Sequence, residues 1–433
     1  MTHRPRVYPL LILLGFLLFV LFLISFAPTI GGRMSSSQSA AAVVVPVILG
    51  AQAWPTPSMF MDVDFANNRA YLNGPTTIGA LGIKTQRASS AWIDNTAGVW
   101  KKVPPNTLRR SDRGALIEGV RTFVALYNRD LTASVWVRTN MLVTRGIAGV
   151  DGIAHSASRI KATANNATVL QKITLPSSVR SQSAFVRRIG TGTGQLFMTM
   201  DGGAHWTDIT PPNSRWAWKD IPSRTLANPK VGFKVETRGD EFGVDFVLNE
   251  NGAFKTSPME VGATPVTREQ DHVTMALVPL GAHFPVPNGS VLVKFYSNQD
   301  VHSITMLSLH TAKDDDYHRV SFNGNPITAH YGMTAMNGDN NAQGFDPLRP
   351  FVKGQHTFVG AMNATGLRAV VALDGSDVRI NEHANTWPPI LRVAVLGGSY
   401  GHGGPICNCY LQEFAFSKNI PSDDMVKQLS SAP

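Results

Sequence analysis

Cysteine is scarce in this sequence, and its scarcity excludes two classes of protein. The 433 residues include only two cysteines, Cys407 and Cys409, with His402 as the one histidine near them. A disulfide-stapled secreted scaffold needs several cysteine pairs, and a structural zinc site needs more ligands at metal spacing. Side chains two residues apart in a strand point the same way. We therefore expect two buried free thiols, with a bridge between them as the alternative.

Clustered positive charge is also lacking. Charged residues make up 16% of the chain, and the lysines and arginines behind its net charge of +9 are scattered. Nucleic-acid-binding domains gather such residues into a patch or stripe, so no nucleic-acid partner is predicted. The scattered charge predicts a solvated basic surface, with attraction to anionic envelope glycans or lipids as the alternative.

A long hydrophobic run occurs at the N-terminus. No charged residue lies between Arg6 and Arg33, and the apolar stretch from Leu10 to Ala27 is long enough for a membrane-spanning helix. The positive residues before the run predict that the N-terminus stays in the cytoplasm. We expect residues 1–33 to be a transmembrane anchor, with a cleaved signal peptide as the alternative.

The rest of the chain has the composition and patterning of β-structure. Its 38 glycines and 27 prolines favour short strands and turns over long helices. In "KVGFKVE", Val231, Phe233 and Val235 alternate with polar positions and therefore share one face of a strand. Many short strands of this kind are typical of sandwiches and barrels.

Local signals mark turns and one helix. The Asn323-Gly324 and Asp374-Gly375 pairs predict turns between strands. The segment "PSDDMVKQLSS" near the C-terminus predicts a helix, with Ser422 as its N-cap and acidic residues in its first turn.

The predicted fold class is all-β, with two β-sandwich (jelly-roll) domains after the N-terminal transmembrane helix. Residues 34–59 are predicted to be a linker or packing arm. A break near residues 263–273 separates the first predicted sandwich, residues 60–271, from the second, residues 272–433.

The first predicted sandwich and its lead-in contain the phrases "MFMDVDFANNRAY", "RGALIEGVRTF" at 113–123 and the closing "GAFKTSPM". Through these phrases, residues 60–271 resemble the lead-in and small sandwich of bacteriophage virion and tail proteins. The sequence departs from the family phrase at Phe123, where the family has asparagine. The resemblance implies a lead-in that packs onto a sandwich of carbohydrate-binding type. Glu118 and Arg121 are expected to hold a turn or to pair with each other, as parts of the scaffold.

Three segments of the second predicted sandwich, at residues 356–375, 393–398 and 406–429, follow one another in an order typical of one family. Through them, residues 272–433 resemble the laminin-G and concanavalin A type of jelly roll. The resemblance implies a second sandwich whose edge loops bind a ligand.

The motifs of catalysis and phosphate binding are missing. Glycosidases use a pair of carboxylates, and jelly-roll glucanases carry theirs in a Glu-x-Asp-x-x-Glu run, which this sequence lacks. The "GTGTG" at 190–194 has no following lysine or helix, so it predicts a hairpin turn instead of a phosphate loop. The sequence therefore favours a protein without enzymatic activity.

Aromatic and histidine side chains supply the candidate glycan-binding residues, with a place in the core as the alternative for each. The foremost candidate is the glycine-rich loop "SYGHGG" at 399–404. The full set of candidates is Tyr400, His402, Trp387, His205, Trp206, Trp216 and Trp218.

Acidic loops supply the candidate metal ligands. Asp314, Asp315 and Asp316 lie together in "KDDDYH", and hard cations such as Ca²⁺ bind several oxygen ligands. The loop-like "NGDNNAQGFD" at 337–346 is an equal candidate, and a solvated loop is the alternative for both. No other cofactor is predicted.

These observations predict a non-enzymatic bacteriophage virion protein, either structural or of the receptor-binding spike type, that recognises host-surface glycans. The N-terminal helix would place it in a virion membrane beside other virion proteins, and assembly into a homo-oligomer is left open. The alternative is a bacterial lectin or adhesin, anchored in the inner membrane with its body facing outward. A glycan-degrading enzyme is disfavoured by the missing carboxylate run.

Overall fold

The computed structural model divides the chain into a unit Met1–Ala51 and a unit Gln52–Pro433. It describes residues 59–277, 288–298, 304–312, 318–325, 330–337, 340–346, 352–363, 368–382, 391–398 and 406–431. The predicted anchor, residues 1–33 with its run from Leu10 to Ala27, lies outside the described residues, as does nearly all of the predicted linker. Within the described ranges, no helix is both long and apolar enough to cross a membrane.

The lead-in forms short strands and one turn of 3₁₀ helix at Ile78–Leu81. Its strands are Met59–Asp64 (β1), Arg69–Leu72 (β2), Pro75–Thr76 (β3), Lys84–Gln86 (β4), Ala91–Asp94 (β5), Trp100–Val103 (β6), Arg110–Ser111 (β7), Gly114–Ile117 (β8) and Arg121–Phe123 (β9).

The next segment forms a sandwich of two antiparallel sheets, called here the first sandwich. Its strands are Val137–Thr139 (β10), Met141–Ile147 (β11), Ala157–Ala162 (β12), Ala167–Lys172 (β13), Ser178–Ile189 (β14), Leu196–Thr199 (β15), Thr207–Asp208 (β16), Ala217–Leu226 (β17), Lys230–Val235 (β18), Glu241–Asn251 (β19) and Val266–Arg268 (β20). The small sheet has the order β10-β13-β18-β15-β16, and the larger sheet has the order β11-β12-β19-β14-β17. The predicted core face of β18 is confirmed, because Val231, Phe233 and Val235 are fully buried between the two sheets.

The C-terminal segment contributes most strands of the second sandwich and a helix, Asp423–Ser430 (α1). Its strands are His272–Ala276 (β21), Asn288–Ser297 (β22), Ile304–His310 (β23), His318–Asn325 (β24), His330–Asn337 (β25), Asn340–Asp346 (β26), Gly354–Asn363 (β27), Arg368–Leu373 (β28), Arg379–Glu382 (β29), Val393–Leu396 (β30) and Cys409–Ser417 (β31). One sheet contains β29-β28-β27-β22-β31 and the other β26-β25-β24-β23-β30-β21. The predicted all-β class is confirmed.

Strands of the lead-in complete both sheets of the second sandwich. β1 pairs with β31, with Asp64 opposite Glu413, and β8 pairs with β31 farther along, with Ile117 opposite Cys409. β4 pairs with β21 at the edge of the other sheet. The division at residues 271 and 272 stays a prediction, and each sheet of the second sandwich draws strands from both sides of it.

The local predictions had mixed outcomes. Ser422 is the N-cap of α1, with its hydroxyl accepting a hydrogen bond from the Met425 backbone, and Asp374 and Gly375 form the turn after β28. Asn323-Gly324 is not a turn, because both residues pair within β24. An Asn-Gly pair permits a turn but does not force one when neighbouring strands satisfy its backbone.

The two cysteines are bonded to each other. Cys407 and Cys409 form a disulfide across a Cα separation of 5.1 Å, and both side chains are buried. The expectation of free thiols is therefore wrong. Asn408 lies between them with a φ of 47°, so the two side chains do not follow regular strand alternation.

Asp271 lies at the centre of a buried ion network that connects the lead-in to the second sandwich. Arg87 Nη1 donates to Asp271 Oδ1 at 2.7 Å, Arg109 donates to Oδ2, and the backbone N–H of Glu118 donates to Oδ2 at 3.0 Å. The side chains of Arg87, Arg109 and Asp271 are no more than 1% exposed. These charges are compensated by each other and not by water.

Glu118 belongs to the same network. Its Oε2 lies 2.7 Å from Arg109 Nη1 and 3.2 Å from Arg268 Nη1, and the Ser257 backbone donates to Oε1 at 2.8 Å. Burial alone would raise the pKa of Glu118, but the two guanidinium groups and the hydrogen bonds from Ser257 lower it to about 2. Glu118 is therefore a buried structural carboxylate and not a proton donor at neutral pH.

The predicted pairing of Glu118 with Arg121 is wrong. Arg121 lies beside Glu250, with 3.7 Å between its Nε and the Glu250 Oε2, and its guanidinium lies 4.4 Å from the centre of the Phe254 ring. The physical reason is strand pairing: β9 lies against β19 and β20, so its side chains meet residues more than a hundred positions away.

We expect Glu250→Gln to flatten the pH dependence of stability. Burial raises the pKa of Glu250 from 4.5 to about 7, although hydrogen bonds from Thr256 oppose the shift. Between those values the folded state holds more protons than the unfolded state, so stability falls as pH rises. The variant should be more stable than the wild type by up to about 3 kcal/mol at pH 8, and by much less at pH 5.

Urea unfolding at the two pH values measures this effect. Glu241→Gln is the control, because Glu241 is half-buried beside Arg159 and Lys161 and its pKa is lowered, with desolvation opposing the effect of those partners. An equal gain for Glu250→Gln at pH 5 and pH 8 would contradict the prediction.

Candidate functional site

Most of the predicted ligand residues lie outside the described part of the chain. These are Tyr400, His402 and Trp387 among the glycan-binding candidates, and Asp314, Asp315 and Asp316 among the metal ligands. Within the described residues, no group of three or more His, Cys, Asp or Glu side chains could hold a metal ion. The other candidate for a metal-binding loop, at residues 337–346, is a strand over most of its length, because Asn340–Asp346 forms β26.

His205 and Trp206 lie in the turn between β15 and β16, on the small sheet of the first sandwich. The turn begins at Asp201 and passes through Gly202 and Gly203, both with positive φ. A Cβ on Gly203 would approach the Trp206 indole to 2.9 Å. Glycine is therefore required at 203 for the indole to lie against the backbone.

Hydrogen bonds fix the imidazole of His205 although the side chain is 61% exposed. Its Nδ1 donates to Asp201 Oδ2 at 2.6 Å and its backbone N–H donates to Asp201 Oδ1 at 2.9 Å, while Arg224 Nη1 lies 3.4 Å from the same Oδ2. Desolvation raises the pKa of Asp201, but the backbone and side-chain hydrogen bonds from His205 and the hydroxyl of Thr199 lower it to about 2. A charged carboxylate thus orients the imidazole and the guanidinium on this surface.

Two aromatic rings lie beside this polar group. The alternation that buries Leu196 and Met198 turns Phe197 to the outer face, and the ring of Phe197 is half-buried there. Lys234 Nζ lies 4.2 Å from the centre of the Phe197 ring and 5.2 Å from that of Trp206. We call Phe197, His205, Trp206, Arg224 and Lys234 the small-sheet patch.

The other tryptophan candidates have covered rings. Trp218 stacks on Phe185 at 5.2 Å with an interplanar angle of 14°, and Lys255 Nζ lies 4.5 Å from the centre of its ring. Arg187 lies 4.8 Å from the centre of the Trp216 ring. Each of these indoles is half-buried with a cation beside its ring, and neither lies in the turn that holds His205 and Trp206.

A cleft that the sequence did not predict lies where the lead-in meets both sandwiches. Its volume is about 190 Å³. We call it the junction cleft, and it is lined by Trp100, Arg113, Leu116, Glu118, Trp218, Lys255, Thr256, Ser257, Tyr296, Asn298, Lys353 and Tyr410. Among the lining residues, the sequence offered Trp218 as a ligand-binding candidate and Glu118 as part of the scaffold, and the fold brings them together with the others.

Arg113 forms one wall of the junction cleft. Its guanidinium lies 4.4 Å from the centre of the Tyr410 ring and 5.4 Å from that of Tyr296. Arg113 Nη1 donates to Asp94 Oδ2 at 2.6 Å, and the Tyr410 hydroxyl donates to the other oxygen of Asp94. Burial and the charge of Asp94 raise the pKa of Tyr410 well above 10, so its hydroxyl keeps its proton.

The carboxyl groups of Asp62 and Glu413 lie on the neighbouring strands β1 and β31 of the second sandwich. Burial, and next the charge of Glu413, raise the pKa of Asp62 to about 7, and burial also raises the pKa of Glu413. Asp62 Oδ1 is buried and has no hydrogen-bond partner within the described residues. Sequence spacing could not reveal this pair, because β1 and β31 come from opposite ends of the body.

Comparison with known proteins gives weak structural similarities alone. No protein-family model matches the chain, and no curated protein matches it in sequence. The chain is similar to the CBM40 carbohydrate-binding module of a Ruminococcus gnavus IT-sialidase, with a TM-score of 0.29 and 12% identity over 33% of this chain and 82% of that one.

Two further structures show the same level of similarity. The NanB sialidase of Streptococcus pneumoniae has a TM-score of 0.31 and 15% identity over 36% of this chain and 26% of that one. A SAP-like pentraxin from Limulus polyphemus has a TM-score of 0.26 and 12% identity over 33% of this chain and 70% of that one. At these scores the similarities assign no family and no site.

Proposed function

We propose that the protein binds glycans without turning them over, and the observation that carries this proposal is the small-sheet patch. Sugar rings offer C–H faces that pack on aromatic rings and hydroxyl groups that bond to charged side chains. The patch supplies both, because the half-buried rings of Phe197 and Trp206 adjoin the charged groups of Arg224, Lys234 and Asp201.

The patch is ordered before any ligand arrives. Gly203 seats the Trp206 indole, and Asp201 accepts hydrogen bonds from both the backbone and the imidazole of His205. Side chains that are already held in place lose less conformational entropy on binding. The patch therefore suits the shallow, weak recognition that a surface glycan requires.

The biological setting belongs to the same proposal. The resemblance of residues 60–271 to bacteriophage virion and tail proteins favours a virion structural or spike-type protein that contacts other virion proteins and a host-surface glycan. The hydrophobic run of residues 1–33 favours placement in a membrane, that of a virion or, as the alternative, the inner membrane of a bacterium that uses the protein as an adhesin.

The test replaces Trp206 with alanine in the full-length protein. Loss of a stacked aromatic should weaken binding to a glycan identified by array screening about two- to tenfold, since such contacts contribute about 0.5–1.5 kcal/mol beyond burial. Titration calorimetry measures the change, and Leu142→Ala, at a 53% exposed site on the larger sheet, is the control. Unchanged affinity in both Trp206→Ala and Phe197→Ala would contradict the proposal, as would a protein that binds no glycan.

A further inference from the structure

We infer that the junction cleft is a second binding site, and that it holds one acidic sugar residue with the carboxylate beside Lys255 and Lys353. The site is separate from the small-sheet patch and does not depend on it. Its ligand class follows from the charge, the size and the polar lining of the cleft.

The charge of the cleft wall is predominantly positive. Arg113, Lys255 and Lys353 line it, whereas Glu118 is the one carboxylate among the lining residues. The charge of Glu118 is compensated by Arg109 and Arg268, which lie within 3.2 Å of its Oε2. Arg113 is compensated in the same way by Asp94 at 2.6 Å, so the positive potential that favours an anion is attributed to the lysine side of the cleft, where the partner of Lys255 is the exposed Asp220.

Lys255 and Lys353 are the cations best placed to hold that anion. Lys255 Nζ is partly buried over the Trp218 ring, and its partner Asp220 is 53% exposed at 2.7 Å, so solvent screens that ion pair. Burial lowers the pKa of Lys255, the charge and hydrogen bond of Asp220 oppose that shift, and the positive charge of Lys353 adds to it. A carboxylate between the two ammonium groups would relieve both effects.

The size and remaining lining of the cleft indicate a sugar. A volume of about 190 Å³ is below the roughly 300 Å³ at which pockets for drug-sized ligands begin, so the cleft accommodates about one ring. Asn298 and Tyr296 offer an amide and a phenol for hydroxyl groups, and half-buried Tyr296 offers an apolar wall. The floor is fixed, because Ser257 Oγ donates to Glu118 Oε2 at 2.5 Å.

The experiment compares methyl glucuronide with methyl glucoside, which differ in a carboxylate against a hydroxymethyl group on the same ring. Saturation-transfer NMR on the full-length protein at low salt should show the glucuronide binding at least about tenfold more tightly. Lys255→Gln and Lys353→Gln should each weaken glucuronide binding about three- to tenfold. Lys172→Gln, at an exposed position on the first sandwich, should leave it unchanged.

Three results would overturn the inference. Equal affinity for the two glycosides would contradict the preference for an acidic ligand. Binding of acetate as strong as that of the glucuronide would contradict the identification of the ligand as a sugar. Full glucuronide binding by Lys353→Gln would show that the anion binds elsewhere. Because Lys353 is exposed, a loss of binding in that variant is not explained by misfolding. Trp206→Ala should retain glucuronide binding, so failure of the small-sheet patch and failure of the cleft are distinguished.

Discussion

Asp271→Ala is expected to destabilise the fold by about 3–5 kcal/mol, the range found when one partner of a buried ion pair is removed. Asp271 accepts hydrogen bonds from Arg87 and Arg109, and neither guanidinium has any exposed surface. Without the carboxylate, two arginines would remain buried, with Glu118 as the remaining anion next to Arg109.

Thermal and urea unfolding of the full-length protein measure this loss. Asp112→Ala is the matched control, because Asp112 lies on the surface of the same lead-in and bonds to the exposed Thr96. Its effect should be small. A loss of less than about 1 kcal/mol in Asp271→Ala would show that water or side-chain rearrangement replaces the carboxylate.

A fragment of residues 272–433 is expected to show no cooperative unfolding transition. In the intact chain β31 pairs with β22 on one side and with β1 and β8 on the other, and β4 covers β21. The fragment would expose these edges and would lack the core side chains Phe60, Val63, Phe65 and Ile117.

Calorimetry of the fragment beside residues 59–433 decides the matter. The longer piece contains both partners of every strand pair just named and should melt cooperatively. A single cooperative transition in residues 272–433, with native-like circular dichroism, would show that the second sandwich folds without the lead-in strands.

Features set by neighbouring residues could be predicted from the sequence. The buried face of β18 follows from strict alternation, and the N-cap of α1 follows from Ser422 and the acidic residues after it. In both cases the decisive contacts lie within a few positions along the chain.

Features set by distant strands could not be predicted. The partner of Glu118 was misassigned because Arg109 and Arg268 lie on either side of it at different distances in sequence, and Arg121 is merely the nearest arginine with suitable spacing. The junction cleft was missed for the same reason, since Trp100, Lys255 and Tyr410 come from three separated segments. Periodicity reports which face of a strand is buried, but not which strand lies beside it.

The pairing of β1 with β31 also determines how long β1 stays unpaired while the chain is synthesised. About 350 residues separate Asp64 from its partner Glu413, so at roughly 5–20 residues per second the ribosome needs roughly 20 to 70 seconds to deliver the partner of the first strand. During that interval the apolar Met59–Asp64 has no native neighbour on that side. Heterologous expression should therefore benefit from slower initiation, lower temperature or a holding chaperone more than from any change to the core.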